Sequence, residues 1–313
     1  MQTEFSITNP QSTLALSARD SFLSKNLREQ PFTWSYQDEY PIVLSNSNTS
    51  LSYCLYANDC LIAHASMLVR VLKHRSSGKS IFIALVGNVA TAPEYRGQGI
   101  QRQLMTYLEK TAELQGAKAL ILWSDLHVFY QKLGFSSNGR ERRFVIRPSE
   151  RHLATGITKV QAQSLSDEQL THLLALRPKL EWNLERSVSD FRRLLGIPEC
   201  HLFIRRKAAQ IASWFVVGKG ADMAGVIHEW GAESAAALTA DIRAVLIGYN
   251  IPELTLLAPM RLPGIWSKTL EMSSTEISEH PMALVKPLGQ NLGQNNEAAN
   301  ALSRGFIWGL DSI

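Results

Sequence analysis

Val89-Ala90-Thr91-Ala92-Pro93-Glu94-Tyr95-Arg96-Gly97-Gln98-Gly99-Ile100 joins two segments of different period. Upstream, residues 81 to 90 form a nearly continuous apolar run, the pattern of a strand covered on both faces. Downstream, Ile100, Leu104, Tyr107 or Leu108, and Ala112 recur every ~3.6 residues until Gly116, which predicts a helix of roughly four turns. A strand that empties through a glycine turn into a helix aims unpaired N–H groups and the positive end of the helix dipole at one point, an anion site. Gly97 and Gly99 remove side chains there, so a phosphate can approach the main chain and positive φ is permitted.

Working outward, Ala119 to Trp123 is a second short apolar run, so strand, helix and strand make a βαβ unit with parallel strands. A short helix over Leu126 to Leu133, stopped by Gly134, and a strand near Arg143 to Ile146 follow. On the N-terminal side, Thr13 to Arg28 reads as an amphipathic helix, and Leu51 to Tyr56 with Leu61 to Leu72 flank a turn at Ala57-Asn58-Asp59, which predicts a hairpin. The second half repeats the order more faintly. Helices over Asp167 to Leu176 and Ser187 to Leu195 precede strands His201 to Arg206, Ile211 to Val217 and Val226 to Trp230, then a helix Ala235 to Ile247 and a strand Leu254 to Ala258. Strand starts at 81 and 226, and at 119 and 254, lie 145 and 135 residues apart, the spacing of a diverged internal repeat.

The 313 residues, 45% hydrophobic and 19% charged, exclude a disordered or low-complexity chain and suit two domains. No apolar run approaches the ~20 residues of a membrane span, and the N-terminus lacks the basic and apolar regions of a secretion signal, so a cytoplasmic protein is expected. Cys54, Cys60 and Cys200 have no CxxC spacing, which argues against disulfides and against a metal site. Residues 1–150 carry 16 Lys and Arg against 12 Asp and Glu, and residues 151–313 carry 16 against 16. That excess is too small for a nucleic-acid face but suits a half that holds a phosphorylated ligand.

Several nucleotide readings compete for the glycine turn. No Gly-x-x-x-x-Gly-Lys-Ser/Thr exists, which removes the P-loop. The dinucleotide pattern finds its first two glycines but meets Arg102 at the third, and the acidic Asp125 follows Gly99 by 26 residues where ~20 are expected. The plainest alternative is a glycine turn that only opens a helix.

Here the sequence resembles the GNAT superfamily of N-acetyltransferases. Its acetyl-CoA signature, Arg/Gln-x-x-Gly-x-Gly/Ala, is matched by Arg96-Gly97-Gln98-Gly99-Ile100-Gln101 except at Gln101, and Phe129-Tyr130-Gln131-Lys132-Leu133-Gly134-Phe135 is close to the family's FYxKLGF. The resemblance covers roughly residues 30 to 148 and implies an α+β acyl-CoA N-acyltransferase (GNAT) fold, a mixed central sheet flanked by helices, in tandem with a degenerate second GNAT-like domain. The expected domains are residues 1–150 for acetyl-CoA, residues 151–290 for the degenerate half, and residues 291–313 for a connector and docked tail, with Gly289 to Asn296 flexible and Phe306-Ile307-Trp308 docked.

What the resemblance implies for the site is specific. The main chain of Val89, Ala90 and Thr91 would pair with the pantetheine amides, and an N–H there would polarise the thioester carbonyl. The pyrophosphate would lie on the N–H groups of Arg96, Gly97, Gln98, Gly99, Ile100, Gln101 and Arg102, with the two arginines adding charge. Tyr130 would give its proton to the departing thiolate. No general base stands out. Glu94, Asp125, His127, His228 and Glu229 each read as a solvated face or a helix cap before they read as catalytic, and Asp125 fits an N-cap for the helix carrying Tyr130. In the second half, Trp230-Gly231-Ala232-Glu233 stands where the phosphate turn would fall and would repel phosphate, leaving that half to wall an acceptor pocket, with Trp182, Trp214, Trp230 and Trp266 as candidate lining or core. The expected activity is direct transfer of an acetyl group from acetyl-CoA to an amine of a small molecule or peptide, without metal, nucleic acid or membrane. The alternatives are a catalytically silent acyl-CoA-binding module and a nicotinamide oxidoreductase.

Overall fold

In the computed structural model, which describes residues 5–29, 32–149, 156–208, 210–289 and 297–312, Phe5–Thr8 (β1) pairs antiparallel with Ser52–Ala57 (β2). β2 turns back at Asn58 and Asp59 into Cys60–His74 (β3). Both turn residues are left-handed, φ 47° and 65°, the backbone that a two-residue hairpin loop demands. β3 pairs antiparallel with Ser80–Thr91 (β4), and β4 runs parallel to Ala119–Leu122 (β5). The helices Thr13–Leu27 (α1) and Tyr36–Glu39 (α2) precede β2. Ile100–Leu114 (α3) crosses from β4 to β5, and His127–Gln131 (α4) follows β5. The 3.6-residue stripe read in α3 is its core face, since Leu104, Leu108 and Ala112 are fully buried in one cluster with Leu55, Ala84 and Leu120. Burial of each large side chain there is worth about 1.5–3 kcal/mol.

The chain then continues through Ser136–Ile146 (β6), Ile157–Val160 (β7), Asp167–Leu176 (α5), Trp182–Leu184 (β8) and Val188–Leu194 (α6). Next come His201–Lys207 (β9), Gln210–Val217 (β10), Val226–Ala232 (β11), Ala235–Gly248 (α7) and Leu254–Pro259 (β12). Gly264–Ser273 (α8), Glu276–Pro287 (β13), Glu297–Arg304 (α9) and Gly305–Phe306 (β14) close the sequence of elements.

Two compact units emerge: Met1–Asn138 with Ala283–Ser303 and Ser312–Ile313, and Gly139–Met282 with Arg304–Asp311. Within the first, the sheet order is β1-β2-β3-β4-β5-β13, and β13 contributes Leu284 to Pro287 antiparallel to Leu122 to Ala119. Within the second it is β7-β9-β10-β11-β12-β6, with Leu254 to Pro259 antiparallel to Ile146 to Glu141. The pairing senses of β2-β3-β4-β5-β13 recur in β9-β10-β11-β12-β6: antiparallel, antiparallel, parallel, antiparallel. The repeat is therefore a repeat of topology in which the last strand of each set is supplied by the other half of the sequence. Contiguous blocks 1–150 and 151–290, as expected from the sequence, are replaced by interleaved ones. Apolar alternation identifies a strand but not the edge that it joins.

The tail packs in the second unit, where Phe306, Ile307, Trp308 and Leu310 are all at most 4% exposed. Residues 290–296 of the expected connector lie outside the described residues. No helix among the described residues is long and apolar enough to cross a membrane.

Candidate active site

The first unit carries an interrupted ladder at the end of β4. Ser66 lies opposite Gly87 and His64 opposite Ala90, so Asn88 and Val89 together face the single residue Ala65. That is a β-bulge, and within it Asn88 takes left-handed backbone, φ 52°. On its other side β4 pairs with β5 only at Ala84 and Leu85 among the described residues. Beyond Leu85 the pairing with β5 stops, so from Gly87 to Ala90 the edge of β4 facing β5 has no ladder partner among the described residues and can pair with an extended ligand, while the Thr91 carbonyl is held by Arg96 Nε.

The chain next passes Gly97 and Gly99, at φ 76° and 77°, into α3. A Cβ placed on either glycine would meet no atom within 4 Å, so the space above the turn is open. Gly99 is the N-cap of α3 and supplies no side-chain bond, and the first intrahelical bond is from Gln103 N–H to the Gly99 carbonyl at 3.2 Å. The Arg96 N–H is taken up by the Pro93 carbonyl at 3.2 Å, contrary to its expected place under a pyrophosphate, whereas the N–H groups from Gly97 onward to the first helical turn are left to a ligand, and the helix dipole gives that ligand a negative preference.

These features share a cavity of about 700 Å³. Its wall includes Val89, Ala90, Thr91, Arg96, Gly97, Gly99, Ile100, Gln101, Arg102 and Tyr130. Gln98 is not on it, and its exposed side chain donates from Nε2 to the Glu94 carbonyl at 2.8 Å. Arg96 folds back, with Nε donating to the Thr91 carbonyl at 3.1 Å, and Arg102 Nη2 reaches the Lys132 carbonyl at 3.4 Å. Gln101 is 8% exposed and its Oε1 accepts from the Thr91 hydroxyl at 2.8 Å, while its Nε2 is buried without a partner. The side chain that breaks the expected glycine signature is thus turned toward the end of β4 and leaves its own main-chain N–H at the helix start.

Tyr130 is 4% exposed, and its ring meets Phe129 and Phe135 edge-on at 5.0 and 5.6 Å. No protein group among the described residues bonds its hydroxyl. Burial pushes the phenol up to about 12, so it is a proton donor at neutral pH. Asp125 does not cap α4. The N-cap is Leu126, whose N–H donates to the Ser124 hydroxyl at 3.1 Å, and Asp125 is exposed.

Sequence reasoning missed Asn26 and Leu27 at the last turn of α1, together with Tyr95, Leu126, Phe129, Lys132 and Leu133, on the same wall. No local pattern could place α1 beside a turn seventy residues later. Arg96, Arg102 and Lys132 give the wall its cations, and among the described residues no carboxylate or imidazole lines it. Glu94, Asp125 and His127 are exposed and off the wall. Among the described residues, His, Cys, Asp and Glu nowhere gather as a set of metal ligands.

In the second unit the counterpart of this turn is closed. Ser234 caps α7 by accepting from Ala237 N–H at 3.2 Å. A Cβ on Gly231 would lie 2.6 Å from Trp214 Nε1 and 2.7 Å from the Leu176 carbonyl carbon, so protein atoms fill the approach. Trp230 stacks on Trp266 and meets Trp308 edge-on, and Trp182, Trp214 and Trp230 are buried. His228 and Glu229 are neither solvated nor caps. Glu229 is fully buried and accepts from Arg186 Nη1 at 2.8 Å and Arg177 Nη1 at 3.2 Å, while Arg186 Nε donates to Asp311 at 3.0 Å. His228 Nε2 donates to the Gly218 carbonyl at 2.8 Å. The strand-end position that read as polar surface holds an ion-pair core around the docked tail.

The sequence profile of the Acetyltransferase (GNAT) family matches residues 24–135. No curated protein sequence is detectably similar. Among solved structures, a probable N-acyltransferase of Enterococcus faecalis superimposes with a TM-score of 0.66 at 14% identity over 92% of this chain and 73% of its own. A GCN5-related N-acetyltransferase of Anabaena variabilis does so at 0.64 and 15% identity over 91% and 73%. Saccharomyces cerevisiae N-myristoyltransferase with bound myristoyl-CoA gives 0.58 at 10% identity over 97% and 84%. The chain has the GNAT acyltransferase fold, and within it residues 24–135 match the profile of the Acetyltransferase (GNAT) family.

Proposed function

We propose that the first unit binds acetyl-CoA and transfers its acetyl group directly to the amine of a small molecule or peptide. The observation that carries this reading is one continuous surface: the edge of β4 that β5 leaves without ladder pairs beyond Leu85 leads to an uncapped start of α3, with three cations and, among the described residues, no carboxylate on the wall. The pantetheine arm pairs with the main chain of Val89, Ala90 and Thr91, and the pyrophosphate lies on the N–H groups from Gly97 to Arg102, with the Arg96 side chain beside it. A main-chain N–H at the bulge faces the thioester oxygen and stabilises it as it becomes an oxyanion.

The amine lone pair attacks the thioester carbon, a C–N bond forms, and the tetrahedral intermediate collapses with cleavage of C–S. Tyr130 gives its phenolic proton to the leaving thiolate, and the proton lost from nitrogen restores the phenol, so the products are an amide and free CoA. Burial of Tyr130, with Phe129 and Phe135 edge-on to its ring, favours the protonated phenol at neutral pH, the form that a general acid needs. That no carboxylate or imidazole among the described residues lines the wall favours a second reading, an acyl-CoA-binding module without turnover. Incubation with acetyl-CoA and a panel of amines, read by thiol release, separates them. Free CoA that depends on one amine supports the enzyme. Thermal protection by acetyl-CoA without thiol release supports the silent module, and no protection at all refutes both.

A further inference from the structure

Behind the bulge, on the side of β4 turned away from the cavity, sits a buried imidazole. His64 of β3 is fully buried, with its Nδ1 2.9 Å from the Asn88 carbonyl oxygen and its Nε2 2.6 Å from the Ser52 hydroxyl. A carbonyl only accepts, so Nδ1 carries the proton. The neutral ring then accepts at Nε2, and the Ser52 hydroxyl donates. Burial and the neighbouring Arg19 guanidinium push this histidine down to about 4, so the arrangement keeps one tautomer across the neutral range.

The carbonyl it grips belongs to the strained residue of the bulge. Asn88 at φ 52° is held further by its Nδ2, which donates to the Ser66 hydroxyl at 3.4 Å. Left-handed backbone at a residue other than glycine persists only where its surroundings hold it. The peptide that follows is trans, as are all the described ones, and in a trans peptide C=O and N–H point in opposite directions. With the Asn88 carbonyl directed at His64, the Val89 N–H is directed away from it, and Val89 lines the cavity.

We propose that His64 is a positioning residue for acyl transfer: by holding the Asn88 carbonyl, it fixes the Asn88–Val89 peptide so that the Val89 N–H faces the thioester oxygen. The proposal deepens the acetyl-CoA reading above and rests on it. His64 touches neither donor nor acceptor, and its effect is on where one main-chain N–H points when charge develops on oxygen.

The test compares His64→Leu, which removes the donor at similar volume, with His64→Asn, whose Nδ2 occupies the place of the imidazole Nδ1. Each is loaded with acetyl-CoA labelled with carbon-13 at the thioester carbonyl. In the wild type the bound carbonyl stretch falls below that of free acetyl-CoA, as a hydrogen-bonded carbonyl must. His64→Leu abolishes most of that shift and lowers kcat by about 10²-fold, the effect of losing one oxyanion donor, while the Kd for CoA stays within about threefold. His64→Asn restores the shift and most of kcat. If His64→Leu does not fold, Ser52→Ala keeps the imidazole, removes the hydroxyl that orients it, and gives a partial loss of the shift. An unchanged shift in whichever of His64→Leu and Ser52→Ala folds and binds acetyl-CoA, or loss of the shift and of CoA affinity together in His64→Asn, overturns the proposal alone. No binding of acetyl-CoA by the wild type overturns the function and this inference together. Binding with a carbonyl shift but without turnover overturns only the transfer step and leaves the assignment of His64 to be decided by the shift.

Discussion

Gly99→Glu probes the phosphate turn directly. The glycine sits at φ 77° in the N-cap of α3, and no atom lies within 4 Å of the position its Cβ would take. Left-handed backbone costs a side chain roughly 1–2 kcal/mol, which lowers thermal stability by a few degrees but leaves a cooperative transition. The carboxylate meanwhile stands where a diphosphate is expected. One unit charge about 4 Å from another at an effective dielectric near 20 contributes about 4 kcal/mol of repulsion, or roughly 10³-fold in affinity. Gly99→Gln has the same backbone strain and nearly the same volume without the charge. Titration calorimetry with CoA at low salt should therefore find a modest loss for Gly99→Gln and a loss about 10³-fold deeper for Gly99→Glu. The gap should narrow toward 1 M salt, where screening acts within about 3 Å. Equal weakening in both variants would mean that the turn excludes bulk rather than attracting charge, and affinity within about threefold of wild type in Gly99→Glu would remove the phosphate from this turn altogether.

Tyr130→Phe should lower kcat by about 10²-fold or more, the usual contribution of a positioned acid, with the Kd for CoA unchanged; an unaltered rate in steady-state assays would take the phenol out of the reaction. Two buried histidines set an acid limit on the fold. His64 is held near 4 and His228 near 3 against an ordinary 6.5, in both cases chiefly by burial, so each unfolds into a form that binds a proton more readily. Their contribution is complete above about pH 6.5 and is lost as pH falls from there toward about 4 and about 3, on the order of a few kcal/mol each; urea midpoints that stay flat between pH 7 and 5 would contradict it. Asp311→Ala leaves the fully buried Arg186 with Glu229 but without its tail partner, and should cost about 3–5 kcal/mol in chemical denaturation. An unchanged midpoint would show that the tail is held by its apolar residues alone.

The segments that were legible in the sequence are those whose local pattern and burial coincide. Ile100, Leu104, Leu108 and Ala112 repeat at helical spacing because α3 buries one face, and Asn58-Asp59 marks a hairpin because two left-handed residues in succession are needed there. The glycine signature from Arg96 likewise appears as an open, uncapped helix start. The illegible parts depend on contacts distant in sequence. β13 carries Pro281 and mostly polar residues ahead of Met282 to Val285, and nothing in that string states that Leu284 pairs with Leu122. Glu229 reads as polar surface because Arg177, Arg186 and Asp311 are scattered over more than a hundred residues. The bulge at Asn88 was hidden by its own composition, since an asparagine inside a long apolar strand carries no mark of where its carbonyl is anchored.

The exchange of terminal strands has a consequence for how the chain must be made. The sheet containing the phosphate turn lacks its last member until Leu284 to Pro287 leave the ribosome, although every other strand of that sheet is finished by Leu122. For some hundred and sixty residues of synthesis the nascent protein therefore carries an exposed β5 border that only its own later segment is meant to cover. Expression of residues 1–150 alone would make that unfinished border permanent.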